Sequence, residues 1–185
     1  MRERDFKRLL RFGERWFELG LLTEDELLSL GREYEASDDK NTEHYRYRVF
    51  CAFLNTHSPL SQPLAEALYE LGEADPDTGL GGAMQHDILR LPECPAALMH
   101  RALASGEPHL VKAVRRKELS MQLDSALTPE TFALCLDSGD DAVQRKLLAH
   151  TEISREQVER LAQDGANRAV RNLATVRLRR KRVTA

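Results

Sequence analysis

The chain has 185 residues, of which 42% are hydrophobic and 31% charged, and its formal net charge at pH 7 is -3. This balance is typical of a folded globular protein and excludes a largely disordered one. No apolar run approaches the roughly 20 residues that a membrane-spanning helix needs. The first residues, Met1 to Asp5, also lack the apolar core of a secretory signal. We therefore expect a cytoplasmic protein without a membrane-spanning segment.

Charge is distributed unevenly along the chain. Residues 141–185 contain eleven Lys and Arg against five Asp and Glu, so the acidic excess lies in residues 1–140. Aromatic residues are uneven as well, since only Tyr69 and Phe132 lie beyond residue 55. The N-terminal third is thus expected to have bulkier packing than the rest of the chain.

The N-terminal segment begins with a predicted amphipathic helix. Apolar residues between Phe6 and Phe17 recur with helical spacing, while charged residues occupy the other positions. Gly20 is the predicted end of this helix, because glycine readily takes the left-handed conformation that closes a helix C-terminus.

Two further helices complete a predicted N-terminal helical cap over residues 1–57. Thr23 followed three residues later by Glu26 is a capping-box pattern, which predicts a helix reaching about Ala36. Another helix is predicted from about Thr42, with apolar and aromatic residues around most of its circumference.

A segment rich in helix-breaking residues follows the cap. It extends from Gly72 to Gly82 and contains Pro76, Gly79 and Gly81. Glycine and proline at this density are typical of a loop. The sequence predicts either a mobile loop or a plain connection between two helices.

The second half of the chain contains a repeated unit. Residues 127–130 (Leu-Thr-Pro-Glu) with Gly139 match residues 153–156 (Ile-Ser-Arg-Glu) with Gly165 at an offset of 26 residues. Thr128 and Ser154 are both residues that favour helix N-caps. Each unit is therefore predicted to contain a capped helix, a turn centred on the glycine and a second helix.

Fainter copies of the unit precede these two. One is centred on Gly106, and another begins near Ser61. Periods of 20 to 50 residues with this content are typical of a helical solenoid. We predict about four helix-pair repeats over residues 58–176.

The two best repeat units, residues 134–145 and 161–174, resemble bacterial leucine-rich repeat variant and HEAT-like repeats. The resemblance implies short helices, a small-residue turn and second helices packed into a superhelix, together with a tendency to bind macromolecules. Some leucine-rich repeat variant proteins also carry a cysteine cluster for an iron-sulfur centre near the N-terminus, but Cys51 stands alone in that part of this chain. The predicted fold is therefore all-α, a HEAT-like helical-repeat solenoid with an N-terminal helical cap.

Basic residues form the main candidate binding surface. They lie on the predicted second helices and in a predicted basic C-terminal tail, residues 177–185: Lys112, Arg115, Arg116, Arg145, Arg168, Arg171, Arg177, Arg179, Arg180, Lys181 and Arg182. Neutralisation of phosphates by such side chains is the main non-specific contribution to nucleic-acid affinity. Against this, the sequence pI of about 6.1 is low for a dedicated nucleic-acid domain, and a basic end also suits the solvated terminus of a solenoid.

Motifs for catalysis or for cofactor binding are not recognisable in the sequence. The three cysteines are odd in number and widely separated, which indicates neither a disulfide framework nor a zinc site. The six histidines show no i, i+4 spacing on a helix. We expect a non-catalytic scaffold, without metal or cofactor, that binds a protein partner along its stacked second helices. The alternative is a protein that binds nucleic acid through the basic surface and tail.

Overall fold

The computed structural model of the protein describes the backbone of residues 3–138 and 140–183, and the side chains of residues 5–138 and 140–179. This part of the chain contains helices and no strands, which confirms the all-α prediction. Its helices, in chain order, are α1 Glu3–Leu10, α2 Glu14–Glu18, α3 Glu24–Ala36, α4 Thr42–His57, α5 Gln62–Glu73, α6 Thr78–Arg90, α7 Ala96–Ser105, α8 Pro108–Ser125, α9 Pro129–Asp137, α10 Asp141–Ala149, α11 Arg155–Asp164 and α12 Arg168–Val183.

The chain divides into two compact units. The first ends at Val111 and the second begins at Lys112, so the division falls within α8 rather than at residue 57. Helix α12 includes residues 177–183. None of the helices in the described part of the chain combines the length and the apolar character needed to cross a membrane.

In the first unit, the predicted N-terminal helix is interrupted, so the expectation of one continuous helix was wrong. Arg11 adopts a φ of 59°, in the left-handed region, and Phe12 N–H donates to the Lys7 carbonyl at 3.1 Å. A left-handed residue followed by this hydrogen bond is the usual way in which a helix ends. The break separates α1 from α2 and leaves both Phe12 and Trp16 buried.

The next two helices match their predictions. Thr23 caps α3, because its hydroxyl accepts from the Glu26 N–H at 3.3 Å while the Glu26 carboxylate accepts from the Thr23 N–H at 2.8 Å. Helix α4 begins at Thr42 as expected. The apolar core of this unit includes residues from α1, α3, α4, α5 and α6: Leu10, Leu27, Phe50, Leu68, Tyr69, Met84, Ile88 and Leu89.

A buried arginine lies within α4. Both Arg46 and its partner Asp75 have side chains that are only 1% exposed. Arg46 Nη1 also donates to the carbonyl of Leu10 at 2.9 Å, at the end of α1. Arg46 thereby connects α1, α4 and the link between α5 and α6.

The glycine-rich segment is mostly helical, so its prediction as a loop was wrong except at residues 74–77. Gly72 lies in α5, and Gly79, Gly81 and Gly82 lie in α6. A Cβ atom added to Gly81 would lie 2.2 Å from the carbonyl oxygen of Gly72. The glycines therefore permit two helix backbones to approach closely, which is a packing requirement rather than a sign of flexibility.

The second unit contains the two repeat units and confirms their predicted helix caps. Thr128 accepts a hydrogen bond from the Thr131 N–H at 3.1 Å. Ser154 accepts from the Gln157 N–H at 3.1 Å, and the Gln157 side chain accepts from the Ser154 N–H at 2.9 Å. The apolar core of this unit is continuous through both repeats: Leu123, Phe132, Cys135, Leu136, Val143, Leu147, Leu148, Ile153, Val158, Leu161, Val170 and Ala174.

The repeat offset changes between the first and the second helix of the unit. Cys135 and Leu161, which the constant offset places at equivalent positions of the first helices, are both fully buried. In the second helices, the same offset pairs the buried Leu147 with Leu173, which is exposed; Ala174 takes the buried position instead. The constant offset was therefore wrong for the second helix, where equivalent positions lie one residue further apart.

Candidate functional site

Several predicted phosphate-binding arginines instead make contacts within the second unit. Arg116 Nε donates to Asp140 Oδ2 at 2.8 Å. Arg171 Nη1 donates to the Gly165 carbonyl at 2.6 Å, and Arg177 Nη2 donates to the His150 carbonyl at 3.2 Å. Arg145 Nε lies 3.4 Å from the exposed Asp141 carboxylate, one helical turn away. The first three guanidinium groups thus hold successive helices and turns together.

The contact with Asp140 determines the position of the Arg116 guanidinium group. Its carboxylate caps α10 by accepting from the N–H groups of Ala142 and Val143, at 2.8 and 3.3 Å. Burial alone would raise the pKa of Asp140, but the hydrogen bonds from Arg116 and from these two N–H groups outweigh burial and hold the pKa below its usual range. Asp140 is therefore a charged helix cap that Arg116 neutralises.

Five of the predicted basic residues with described side chains are exposed, and one of them, Arg145, lies beside Asp141. Lys112, Arg115, Arg168 and Arg179 form no ion pair with another side chain of residues 5–138 and 140–179. The other three, at positions 180–182, are within α12, but their side chains lie outside the described residues: Arg180, Lys181 and Arg182.

The helices that carry these basic residues are neighbours. Helix α8 contacts α10, since Lys146 Nζ donates to the Ser120 carbonyl at 3.0 Å and to Asp124 Oδ2 at 2.6 Å. Helix α10 in turn contacts α12 and the turn before it, where the buried Gln144 side chain accepts from the Ala166 N–H at 2.7 Å. Helix α10 is therefore in contact with both α8 and α12.

An apolar strip on α12 was not anticipated from the sequence. Leu173 and Val176 are 47% and 45% exposed, and Ala169 is exposed one turn before them. Positions three and four residues apart share one face of a helix, so these three residues form a continuous surface, the α12 strip. The sequence did not reveal that Leu173 is exposed, because the constant repeat offset aligns Leu173 with the buried Leu147.

Charged residues border the α12 strip. By helical spacing, Arg168 and Arg179 lie on the same side of α12, about three turns apart, on the flank next to Ala169 and Val176, and both are exposed. The buried side of the same helix carries Val170 and Ala174. Helix α12 is therefore apolar on its core side, apolar on part of its exposed side, and basic along one exposed edge.

A hydrogen bond in the first unit joins two side chains that are 40 residues apart in the sequence. The Tyr47 hydroxyl donates to Asp87 Oδ2 at 2.6 Å. This hydrogen bond, together with burial and the carboxylate charge, holds the pKa of Tyr47 well above its usual range. Burial likewise raises the pKa of Cys51, one turn further along α4. These effects keep the Tyr47 hydroxyl and the Cys51 thiol protonated, whereas a nucleophilic cysteine requires its thiolate.

Comparison of the chain with protein-family models, curated protein sequences and solved structures gave no significant match. The resemblance to leucine-rich repeat variant and HEAT-like repeats therefore stays a prediction from the sequence.

Proposed function

We propose that the protein is a non-catalytic helical-repeat scaffold that binds a protein partner, and that the α12 strip is its docking surface. The supporting observation is where the exposed large hydrophobic side chains lie. Within the described side chains there are four, and all belong to the second unit: Met121, Leu134, Leu173 and Val176. Leu173 and Val176 are the pair that shares a helix face. Clustered exposed apolar side chains with polar borders are typical of protein interaction sites.

The charge along the strip indicates the chemistry of the partner. Arg168 and Arg179 are exposed on one edge of the apolar surface. A matching partner segment has an apolar face for Leu173 and Val176 and acidic side chains on one flank. An amphipathic acidic helix meets both requirements, because residues at i, i+3, i+4 and i+7 can contact the strip while its flank faces the arginines.

Selection of peptides from a random display library tests this proposal, because it requires no candidate partner at the start. We expect enriched peptides to be amphipathic and acidic, and to lose binding when Leu173 and Val176 are both replaced by Glu. Met121→Glu is the control, because Met121 is an apolar residue of the same unit, on α8, and is 58% exposed. Enrichment of no peptide family, or equal binding to both variants, would count against the α12 strip as a docking surface.

The second candidate function is binding of nucleic acid. The observation that favours it is the contact of α10 with both α8 and α12, which carry the exposed Lys112, Arg115, Arg168 and Arg179. Affinity for a labelled duplex should then fall steeply with salt concentration. It should also weaken when these four residues are replaced by Gln, whereas Arg32→Gln, on α3 of the first unit, should have no effect. Salt-independent binding, or none, would exclude this candidate.

A further inference from the structure

A cleft in the first unit has no role in the proposed function. It has a volume of about 500 Å³ and lies between the α1–α2 region on one side and the end of α5 with its link to α6 on the other. Residues 7–8, 11–16, 71 and 74–76 line it. This volume is within the usual range for small-molecule sites, roughly 300 to 1,000 Å³.

Four cationic residues line the cleft, and two of them have acidic partners. Lys7 Nζ lies 2.5 Å from the Glu14 carboxylate, and Arg15 Nη1 lies 3.2 Å from Glu18. The remaining two, Arg8 and Arg11, are exposed and form no ion pair with any other side chain of residues 5–138 and 140–179. The cleft is therefore positively charged at its opening.

The one other carboxylate that lines the cleft does not neutralise these arginines. Asp75 is buried, and both its oxygens accept hydrogen bonds from Arg46 at 3.2 Å. Asp75 Oδ1 also accepts from the Asp77 N–H at 2.8 Å. The Asp75 charge is thus compensated by Arg46. Arg8 and Arg11 therefore remain available to an anion from solution.

The backbone conformation of Arg11 is a second indication of a binding site in this cleft. A left-handed conformation, with a φ of 59°, costs an L-residue roughly 1–2 kcal/mol, and glycine usually occupies this position after a helix. Here the position carries an exposed arginine, and this residue lines the cleft. Strained positions of this kind concentrate at ligand-binding and active sites.

The walls of the cleft determine what the rest of the ligand must be. Phe12 and Trp16, with ring centroids 5.1 Å apart, line one side. Leu71, Ala74 and Pro76 line the other. These groups carry no charge, and while Phe12, Trp16 and Leu71 expose only 3%, 2% and 6% of their surface, Ala74 and Pro76 are exposed. A ligand that fits here therefore combines a small apolar or aromatic body with an anionic group.

We propose that this cleft binds a small organic phosphate monoester, with the phosphate held by Arg8 and Arg11 and the apolar body packed between the Trp16 and Pro76 sides. A phosphate monoester carries a charge of about -1.5 to -2 at neutral pH, which matches two free guanidinium groups. Guanidinium groups also fit phosphate oxygens with paired, charge-assisted hydrogen bonds.

The fluorescence of Trp16 can be used to detect binding at this site. Trp16 is the only tryptophan of the sequence, and it lines the cleft. Titration with phenyl phosphate should change its fluorescence in a saturable way, and calorimetry should give the same affinity. Arg8→Gln and Arg11→Gly should each weaken binding by about tenfold, as expected for loss of a charge-assisted hydrogen bond. Glycine at position 11 also keeps the left-handed backbone.

Arg32→Gln is the matched control, because it removes the same charge from an exposed position of this unit that does not line the cleft. Thermal unfolding of the Arg8 and Arg11 variants at or above the wild-type temperature would show that loss of binding is not loss of folding. The proposal is overturned by the absence of saturable binding in the wild type at millimolar phenyl phosphate, or by equal weakening in Arg32→Gln.

Two further ligands test the role of the apolar walls and the assignment of a phosphate ligand separately. Inorganic phosphate should bind more weakly than phenyl phosphate, because it cannot contact the apolar walls; equal affinity would refute the role of the walls. Benzoate has an aromatic body but only one negative charge, and should also bind more weakly. Tighter binding of benzoate than of phenyl phosphate would refute the assignment of a phosphate ligand.

Discussion

Arg46 and Asp75 form a bidentate ion pair within the first unit, with both side chains 1% exposed and both nitrogen-to-oxygen distances at 3.2 Å. The remaining guanidinium nitrogen donates to the carbonyl of Leu10 at 2.9 Å and to Thr42 Oγ1 at 3.4 Å. Each of the three guanidinium nitrogens therefore donates at least one hydrogen bond. A buried charge is tolerated only with such compensation.

Removal of one partner should be strongly destabilising. We expect Arg46→Met to reduce the free energy of unfolding by about 3–5 kcal/mol, because it leaves the Asp75 carboxylate buried without a counter-charge. Urea denaturation followed by circular dichroism measures this loss. Arg48→Met is the control, since Arg48 forms an equally bidentate but half-exposed pair with Glu33 and should cost about 1 kcal/mol or less. Similar losses in both variants would contradict the role given to burial.

The close approach of α5 and α6 should make Gly81 intolerant of any side chain. In Gly81→Ala the new methyl group would meet the backbone oxygen of Gly72, and backbone cannot move aside as easily as a side chain. We expect a loss of about 1–3 kcal/mol, as for other overpacked sites. Thermal unfolding monitored by circular dichroism would show it.

The adjacent Gly82 provides the control for that substitution. The three atoms nearest to a Cβ atom there all belong to the ring of His109, the closest at 2.7 Å, and that residue is exposed and can rotate away. The higher helix propensity of alanine, about 1 kcal/mol over glycine, should then offset much of the cost in Gly82→Ala. Greater destabilisation by Gly82→Ala than by Gly81→Ala would contradict this interpretation of the helix contact.

Gln144 should be needed for the junction of the two repeat units. It is fully buried, donates to the carbonyl of Leu136 at 2.8 Å and accepts from the Ala166 N–H at 2.7 Å. Gln144→Leu keeps the volume but removes these two hydrogen bonds and a third, to the Cys135 carbonyl at 3.3 Å, so we expect a loss of about 1–3 kcal/mol. Chemical denaturation measures it against Gln122→Leu, an exposed position of α8 that should stay within about 0.5 kcal/mol of wild type.

The charge of Asp140 should make part of the stability pH-dependent. Its pKa in the folded protein lies below the ordinary value of 3.8, so its contribution is complete above that value and is lost as the pH falls through the lowered pKa. Asp140→Asn retains a residue that can cap a helix but removes the charge. We expect the stability difference between wild type and this variant to be largest near neutral pH and to shrink below about pH 4.

Denaturation of both proteins between pH 7 and pH 2.5 checks this expectation. Asp141→Asn is the matched control, because Asp141 is the adjacent carboxylate but is exposed. A difference between wild type and Asp140→Asn that stayed constant over the whole range would show that the charge of Asp140 does not carry the effect.

Local sequence signals predicted much of the helical structure. The capped starts at Thr23, Thr128 and Ser154 depend on side chains that bond their own backbone three residues away, and such patterns are visible in the sequence alone. The glycine-rich segment was misassigned because its glycines serve a contact between α5 and α6. No local pattern reveals which helix will pack against a glycine.

The candidate sites were harder to predict for the same reason. A list of arginines does not show that Arg116 is held by a carboxylate distant in the sequence or that Arg171 binds a turn carbonyl. The exposed Leu173 could be recognised only once α12 was known to start one residue later than the repeat offset from α10 predicts. Long-range partners and small changes of spacing therefore decided which residues were free to bind.

The close contact between Gly72 and Gly81 also bears on the entropy of ligand binding. Together with the Arg46–Asp75 pair, it fixes the link of residues 74–77 before any ligand is present. The conformational entropy that a ligand would still have to remove is that of the Arg8 and Arg11 side chains, at a cost of up to about 2 kcal/mol for each arginine. One side of the cleft therefore behaves as a prebuilt surface, and selectivity among anions would depend on how well each one orders two flexible side chains.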